Sequence, residues 1–456
     1  MENLIKAAQF ILSLSIIVAL HEFGHYITAR MFKTRVEKFY LFFDFLFPFP
    51  NLLNFALFKK KIGDTEYGLG WFPLGGYVKI AGMIDESMDE EFLKSPPQPW
   101  EFRSKPAWQR MIIMLGGIIV NILLAFFLYS MILFHWGTSS LPVENVKYGF
   151  AVDTVVQKMG LKDGDKFVSY DGGKKFRGAN SIFIDMLLNG AKTVEVDRGG
   201  QKVTLPVPQS IYKEMLEHKK AEMIAPIVPA VVDSVVPGMP MATAGGKHND
   251  TIIQIDSVPV QFAYEFKRQV SAFRNKSTYV MVRRGNDTVR LNIAIPDSAI
   301  VGLAFYGPAK YFAIVETQYG FFESFPAGIA RTWDVFVNYL KQFKIIFNPE
   351  LKGYKQLGSF FTIAQQFSPQ WDWFSLWNLT AFLSIAIAFV NVLPIPALDG
   401  GHAFFLLFEM ITGKVPSDKF MERAQVVGMI IIFALMFFAL GNDILRTFFS
   451  GHTFWH

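Results

Sequence analysis

Val18-Ala-Leu-His-Glu-Phe-Gly-His-Tyr26 is an apolar segment of helical length that contains the motif His21-Glu22-x-x-His25. Residues i and i+4 share one face of a helix, so the two imidazoles can bind one metal ion. Glu22 beside them can act as a general base toward a metal-bound water. The segment is followed by a basic cluster of Arg30, Lys33, Arg35 and Lys38. His21 would lie roughly 13 Å along the helix from Arg30, so the sequence predicts a metal site inside a membrane.

Composition agrees with a membrane protein that carries soluble portions. The chain has 456 residues, of which 51% are hydrophobic and 16% aromatic, and its mean hydropathy is +0.27. The absence of cysteine excludes disulfides, thiolate metal sites and cysteine nucleophiles. The net charge of +5 is modest, and no Lys/Arg run indicates a nucleic-acid partner. The basic residues flank apolar segments instead, as in membrane proteins.

Hydropathy predicts a polytopic α-helical membrane protein, because a bilayer needs about 20 apolar residues per span. The first apolar run is too long for a signal peptide and lacks a small-residue cleavage site, so we treat it as a retained span. The four predicted transmembrane helices cover residues 4–29, 109–135, 376–397 and 425–448.

The loop after the first span predicts a membrane-associated β element over residues 39–80. Phe39 to Phe58 is rich in phenylalanine and is interrupted by Pro48 and Pro50, which favours an interfacial or re-entrant hairpin. The stretch from Tyr67 to Ile80 has the alternation and the glycines of a short bent β segment. Residues 1–137 would thus form the first half of a membrane domain, and residues 376–456 the second half.

The region between the halves contains an internal repeat. Two similar polar turns occur, Gly160-Leu-Lys-Asp-Gly-Asp165 and Gly245-Gly-Lys-His-Asn-Asp250. Each turn is followed by an apolar strand, then by a helix-like stretch, and then by strands of alternating polarity. We predict two small β-rich domains at 138–222 and 223–308. Amphipathic connecting helices at 309–375 would follow, and the pattern in 319–348 suits a helix on a membrane surface or one facing a soluble core.

Charge asymmetry predicts the orientation of the spans. The basic residues in 30–110 and in the loop 412–424 place those segments in the cytoplasm. Four spans then place both termini and the repeat domains on the opposite side.

The third metal ligand is expected near the end of the third span. Asn391-Val-Leu-Pro-Ile-Pro-Ala-Leu-Asp-Gly-Gly-His402 offers Asp399 and His402. An ionised carboxylate at this depth is costly unless a cation pairs with it, which favours Asp399 as a ligand over a simple helix cap. Spacing alone leaves His402 as a rival. Asn121, in the second span, is expected either to hydrogen-bond across helices or only to pack there.

The two motifs together resemble the site-2 protease family of intramembrane metalloproteases, and most closely its regulator of sigma-E protease branch with tandem PDZ domains. The resemblance extends to Pro73-Leu-Gly-Gly-Tyr-Val-Lys79 and to Gly117 and Asn121 of the second span. It implies that His21, His25 and Asp399 bind Zn²⁺ and that Glu22 is the catalytic base. Asn391 and the β segment, with Gly75, Gly76 and Tyr77, would bind the substrate in extended form. Asn249 stands where the family usually has glycine.

The function implied by this resemblance is zinc-dependent cleavage of single-span membrane proteins in a bacterial inner membrane, in regulated intramembrane proteolysis. Substrates would be pre-cleaved anti-sigma factors or remnant signal peptides, and the PDZ-like domains, on the periplasmic side, would act as a size filter or as a lid without peptide affinity. The zinc site would be near the cytoplasmic side. The alternatives are a non-proteolytic PDZ scaffold and another class of membrane zinc metallopeptidase. Glu22 argues against the scaffold, and no downstream Glu-based ligand motif supports the other class.

Overall fold

The structure, a computed structural model, describes residues 1–45, 53–73, 75–83, 96–217 and 223–449. The α-helices are α1 (Glu2–Met31), α2 (Ala107–Trp136), α3 (Thr154–Gln157), α4 (Ile182–Asn189), α5 (Gln209–Glu217), α6 (Pro240–Thr243), α7 (Ala263–Ala272), α8 (Phe321–Ile346), α9 (Phe360–Gln365), α10 (Trp373–Val392), α11 (Asp399–Thr412) and α12 (Asp418–Phe449). The strands are β1 (Val36–Leu41), β2 (Ala56–Ile62), β3 (Thr65–Gly70), β4 (Tyr77–Ile80), β5 (Thr138–Ser140), β6 (Phe150–Val152), β7 (Lys166–Tyr170), β8 (Thr193–Arg198), β9 (Gln201–Pro206), β10 (Ile224–Pro226), β11 (Val232–Val235), β12 (Thr251–Ile255), β13 (Val258–Pro259), β14 (Lys276–Arg284), β15 (Asp287–Ile295), β16 (Leu303–Phe305) and β17 (Val315–Thr317).

The chain forms two compact units. The first, the helical unit, comprises Met1–Gly137, Gln318–Phe343 and Tyr354–His456. The second, the repeat unit, comprises Thr138–Thr317 and Lys344–Gly353.

Four helices of the helical unit, α1, α2, α10 and α12, are long and apolar enough to cross a membrane. This confirms the four predicted spans, with two clear differences in their bounds. Helix α12 begins at Asp418, whereas the predicted span starts at residue 425. Helix α10 ends at Val392, whereas the predicted span continues to residue 397. Pro394 and Pro396 have no backbone N–H to donate, so the helix cannot continue through them.

Close backbone contact fixes α1 against α2. A Cβ atom on Gly24 would lie 2.3 Å from the carbonyl oxygen of Gly116, and one on Gly116 would lie 2.5 Å from the carbonyl oxygen of Gly24. Only glycine at both positions allows this approach, which is typical of packing between membrane helices. The contact holds the face of α1 that carries the two motif histidines against the middle of α2.

Polar side chains connect α10 to the same pair of helices. The Thr380 hydroxyl donates to the Ser13 hydroxyl at 3.0 Å, and Ser384 donates to the backbone oxygen of Asn121 at 2.8 Å. All three side chains are buried. Such bonds stabilise helix association where the surroundings supply no water, and they place the end of α10 beside α1.

The β element is a four-stranded sheet in the order β2-β3-β1-β4. Strand β1 pairs in parallel with β3 and antiparallel with β4. The predicted segment 67–80 contributes parts of β3 and all of β4, with Leu74 outside the described residues. The ends of the predicted hairpin 39–58 belong to β1 and β2, and its residues 46–52 lie outside the described part of the chain.

Helix α8 packs along α2 and α10 within the helical unit. The rings of Phe325 and Phe126 are 6.0 Å apart, and those of Phe343 and Phe389 are 4.8 Å apart. The opposite face leaves Phe322 and Trp333 exposed. The helix expected within 319–348 is therefore present, and its location on a membrane surface stays a prediction.

The two copies of the predicted internal repeat make equivalent side-chain contacts in the repeat unit. Arg198 donates from Nε and Nη2 to Asp165, both at 2.7 Å, and from Nη2 to the Gly160 carbonyl. Arg284 makes the same bonds to Asp250 and to the carbonyl of Gly245. Both aspartates are buried, and each repeat has its own apolar core.

The glycine that the second repeat lacks is replaced by a residue that tolerates the same backbone. Gly164 has φ +92° and Asn249, at the equivalent position, has φ +67°. Asparagine is one of the few non-glycine residues that enter the left-handed region readily. The substitution therefore preserves the turn before the buried aspartate.

Candidate active site

Helix α1 presents His21 and His25 on the face that packs against α2. Both side chains are buried, and their Nε2 atoms are 3.3 Å apart. His25 Nδ1 is 2.9 Å from the Ile113 carbonyl oxygen. Because a carbonyl only accepts, this nitrogen carries the proton, and the lone pair of Nε2 is free for a metal ion.

The side chain of Asn121 in α2 faces Nδ1 of His21, as the Ile113 carbonyl faces Nδ1 of His25. Its Nδ2 is 3.2 Å from His21 Nδ1, while its Oδ1 is buried without a hydrogen-bond partner. The two ends of an amide are exchanged by a 180° rotation, and the hydrogen-bond network decides between them. With Oδ1 toward His21, the amide accepts from Nδ1–H, and both histidines direct an unprotonated Nε2 to the same point.

Gly117 makes room for the two imidazoles. A Cβ atom at this position would lie 2.4 Å from His25 Nε2 and 2.6 Å from His21 Cε1. No real side chain tolerates such distances, so α2 needs glycine where it passes the histidine pair.

Asp399, the first residue of α11, meets the histidine pair from the other half of the helical unit. Its Oδ2 lies 3.2 Å from His21 Nε2 and 3.3 Å from His25 Nε2. Gly400 and Gly401 allow this approach, since a Cβ on Gly400 would lie 2.3 Å from the carbonyl oxygen of Val392, at the end of α10, and one on Gly401 would lie 2.3 Å from that of Ile395.

The three side chains fit a zinc ion. Their ligand atoms form a triangle with edges of 3.2 to 3.3 Å. Two ligands at about 2.0–2.1 Å from a tetrahedral Zn²⁺ are roughly 3.3 Å apart. Asp399 Oδ2 is buried, and no hydrogen bond of acceptable geometry satisfies it, as expected for an oxygen directed at a cation. In the described part of the chain, no other group of three such residues is this close.

His402, the rival third ligand, lines the same cavity without joining the triangle. Burial lowers its pKa, so the imidazole is neutral. Gln425 of α12 also lines this cavity and is buried. Gln425 was not among the site residues predicted from the sequence. A single amide at the start of an apolar helix is the only signal it offers, although buried polar residues in spans often mark function.

Three of the remaining predicted residues line this cavity, which has a volume of about 110 Å³. Glu22, Tyr77 and Asn391 line it directly, and Asn391 Nδ2 is 3.2 Å from His21 Nε2. Gly76 is packed against α1, because a Cβ there would lie 3.0 Å from a methyl carbon of Val18. Gly75 lies against the ring of Phe43 and does not line the cavity. The cavity thus lies between α1, the end of α10 and the edge strand β4.

Comparison with known proteins identifies the family. The model of peptidase family M50 matches residues 9–435. The chain is similar to the regulator of sigma-E protease RseP of Escherichia coli, with 25% identity over 96% of this chain and 98% of that protein. It is also 25% identical to the protease RseP of Yersinia pestis, over 98% of this chain and 100% of that protein. The chain belongs to peptidase family M50 and is a zinc-dependent metalloprotease with membrane-spanning helices.

Proposed function

We propose that this protein is an intramembrane endopeptidase in which His21, His25 and Asp399 hold the zinc ion and Glu22 is the general base. The observation that carries the proposal is the triangle of three ligand atoms in a cavity that Glu22 also lines. The triangle combines side chains from α1 and α11. Helix α1 is itself a membrane-spanning helix, and α11 follows the membrane-spanning helix α10 in the sequence.

The chemistry follows from these positions. A zinc ion bound there would lower the pKa of a water molecule to about 7 and polarise the scissile carbonyl. Glu22 accepts the proton of the attacking water and delivers it to the leaving amine. Asn391, 3.2 Å from His21, is placed to donate a hydrogen bond to the substrate backbone and to hold it in the cavity.

Substrate presentation is assigned to β4. A peptide bond inside a transmembrane helix is covered by its own hydrogen bonds and side chains, so the helix must unwind before hydrolysis. Strand β4 is at one end of the sheet order, and Tyr77 and Val78 line the cavity. An unwound segment can pair with this edge by strand addition. Gly76 directly precedes the strand and allows its close approach to Val18 of α1.

The proposed substrates and the proposed orientation in the membrane rest on the similarity to the relatives named RseP. We infer single-span proteins in a bacterial inner membrane, such as pre-cleaved anti-sigma factors or remnant signal peptides. The basic residues near 30–110 support a zinc site near the cytoplasmic side and repeat domains on the periplasmic side.

The decisive experiment is the Glu22→Gln variant, with Glu2→Gln as the matched control. Glu2 is an exposed residue in the first turn of the same helix. We expect Glu22→Gln to retain zinc and to lose cleavage of a reconstituted single-span substrate, while Glu2→Gln keeps both. Undiminished cleavage by Glu22→Gln would contradict the role of Glu22 as general base, whereas no cleavage by the wild-type protein would favour the scaffold.

The repeat domains are proposed to be PDZ-like and to act as a size filter. Each combines an antiparallel sheet with a helix that follows its first strand, β7 with α4 and β12 with α7. A substrate with a folded periplasmic domain should be cleaved only after that domain is removed. Equal cleavage of both forms would contradict the filter without affecting the zinc site.

A further inference from the structure

A second cavity, which we call the basic cavity, lies where α1 ends. It has a volume of about 490 Å³ and is lined by Arg30, Lys33, Thr34, Arg35, Asp64 and Trp100. None of these residues lines the active-site cavity. The basic cavity is therefore a separate feature, and the proteolytic mechanism makes no use of it.

The charge of the basic cavity is positive. Three cationic side chains face one carboxylate, that of Asp64. Within the described residues, none of these four forms an ion pair. Glu101, next to Trp100, is already paired with Arg103. An anion entering the cavity would meet unpaired cations.

Two buried polar atoms of this wall have no partner. Thr34 is 1% exposed, and its Oγ1 forms no hydrogen bond. The Nε of Arg35 is also buried and without a partner. An unsatisfied buried donor is unfavourable, and both of these donors belong to residues that line one cavity, which favours a ligand there that accepts hydrogen bonds.

Backbone hydrogen bonds fix the main chain of both residues. The Thr34 N–H donates to the Ala29 carbonyl at 2.9 Å, and the Arg35 N–H donates to the Trp100 carbonyl at 2.9 Å. The Arg35 carbonyl accepts from the N–H of Ala81. The donors are thus pre-organised, which reduces the entropy lost on binding.

We propose that the basic cavity binds a phosphate group, and that this phosphate is the headgroup of an anionic phospholipid. A phosphate offers several acceptor oxygens for Arg35 and Thr34, and guanidinium groups match its geometry. The location favours a lipid source, because α1 is a membrane span that ends at Met31. Trp100 is 46% exposed, and tryptophan is enriched at the level of lipid headgroups.

The test uses the full-length protein in neutral detergent and native mass spectrometry. Phosphatidylglycerol and a diacylglycerol with the same acyl chains are titrated separately. Wild-type protein is expected to bind phosphatidylglycerol at least about tenfold more tightly, since charged hydrogen bonds and ion pairs are lost with the phosphate. Equal binding of the two lipids would overturn the proposal.

Variants locate the site. Thr34→Val removes the unpaired hydroxyl with little change in shape, and we expect about tenfold weaker phosphatidylglycerol binding with no loss of thermal stability in the lipid-free protein. Lys33→Gln should weaken binding as well. Lys59→Gln removes an exposed charge on β2 and should leave binding unchanged. Wild-type affinity in Thr34→Val and Lys33→Gln, or equal weakening by Lys59→Gln, would refute the assignment.

A competition experiment distinguishes the source of the phosphate. Inorganic phosphate and glycerol phosphate are added to the lipid-bound wild-type protein. If neither displaces phosphatidylglycerol at millimolar concentration, the lipid source is supported. If inorganic phosphate displaces the lipid in wild-type protein but binds Thr34→Val weakly, the phosphate site stands and its physiological ligand is soluble.

Discussion

At the scale of single residues, Asp399 and His402 lie on the same helix, but only Asp399 is within 3.3 Å of both histidine Nε2 atoms. Metal analysis of purified variants separates their roles. Asp399→Ala should lose its zinc, because the two histidines alone supply two protein ligands, whereas a catalytic zinc site has three. His402→Ala should retain zinc, since its side chain only lines the cavity. Loss of zinc from His402→Ala alone would contradict the proposed ligand set.

Asn121 provides a second prediction, which concerns the tautomer of His21. Asn121→Leu removes the group that faces Nδ1 and should weaken zinc binding about 10–100-fold, as is usual when a partner of a metal-binding histidine is lost. Asn121→Asp restores an acceptor and should recover most of the affinity. Zinc competition with a chelator measures both variants without relying on activity. Equal affinity in Asn121→Leu and the wild type would show that the amide only fills space.

Some of these residues could be predicted from the sequence because their spacing is local. His21 and His25 are one helical turn apart, and the prolines and glycines around Asp399 mark a loop inside an apolar region. The contact between Asn121 and His21 is not local. It depends on the register of α2 against α1, which Gly24 and Gly116 set through backbone contact. The sequence therefore offered a packing role for Asn121 as an equal alternative.

At the scale of the elements, the packing of α1 against α2 determines the geometry of the histidine pair. Gly24→Ala would place a Cβ 2.3 Å from the Gly116 oxygen, so the helices must separate. We expect a loss of about 1–3 kcal/mol of stability and reduced zinc content, because the bond from His25 to Ile113 lengthens. Thermal unfolding and metal analysis measure the two effects.

Gly441→Ala is the matched control for this helix substitution. Gly441 is in α12, and a Cβ there would meet no atom within 4 Å. Alanine favours helix over glycine, so this variant should be as stable as the wild type or more stable. If Gly441→Ala and Gly24→Ala are equally harmless, the close contact between α1 and α2 is absent in solution.

Elements that depend on non-local pairing were harder to predict than the spans. Hydropathy located all four spanning helices, yet it extended the third to residue 397 and gave no sign that α11 begins at Asp399. The alternation in Tyr67 to Ile80 indicated strands. It could not show that β1 lies between β3 and β4, an arrangement that leaves β4 at the edge beside His21, His25 and Asp399.

At the scale of the whole molecule, the helical unit and the repeat unit are each compact. The repeat motif predicted the twofold organisation of the second unit, because each copy contains the same turn before a buried aspartate. It could not reveal the arginine partners, which are 33 and 34 residues farther along the chain. These ion pairs close the same loop in both repeats, and we expect the stability of the repeats to be separable from that of the proposed zinc site.

Asp250→Asn tests this separation. Asp250 is fully buried and accepts three hydrogen bonds from Arg284 and the Lys247 backbone, so losing its charge should destabilise the second repeat by about 2–3 kcal/mol. Asp287→Asn, at an exposed position of the same repeat, should have no effect. Zinc content should equal that of the wild type in both variants, because the ligands belong to the other unit. Hydrogen exchange of β12 and β14 together with metal analysis makes the measurement, and loss of zinc from Asp250→Asn would show that the two units fold as one.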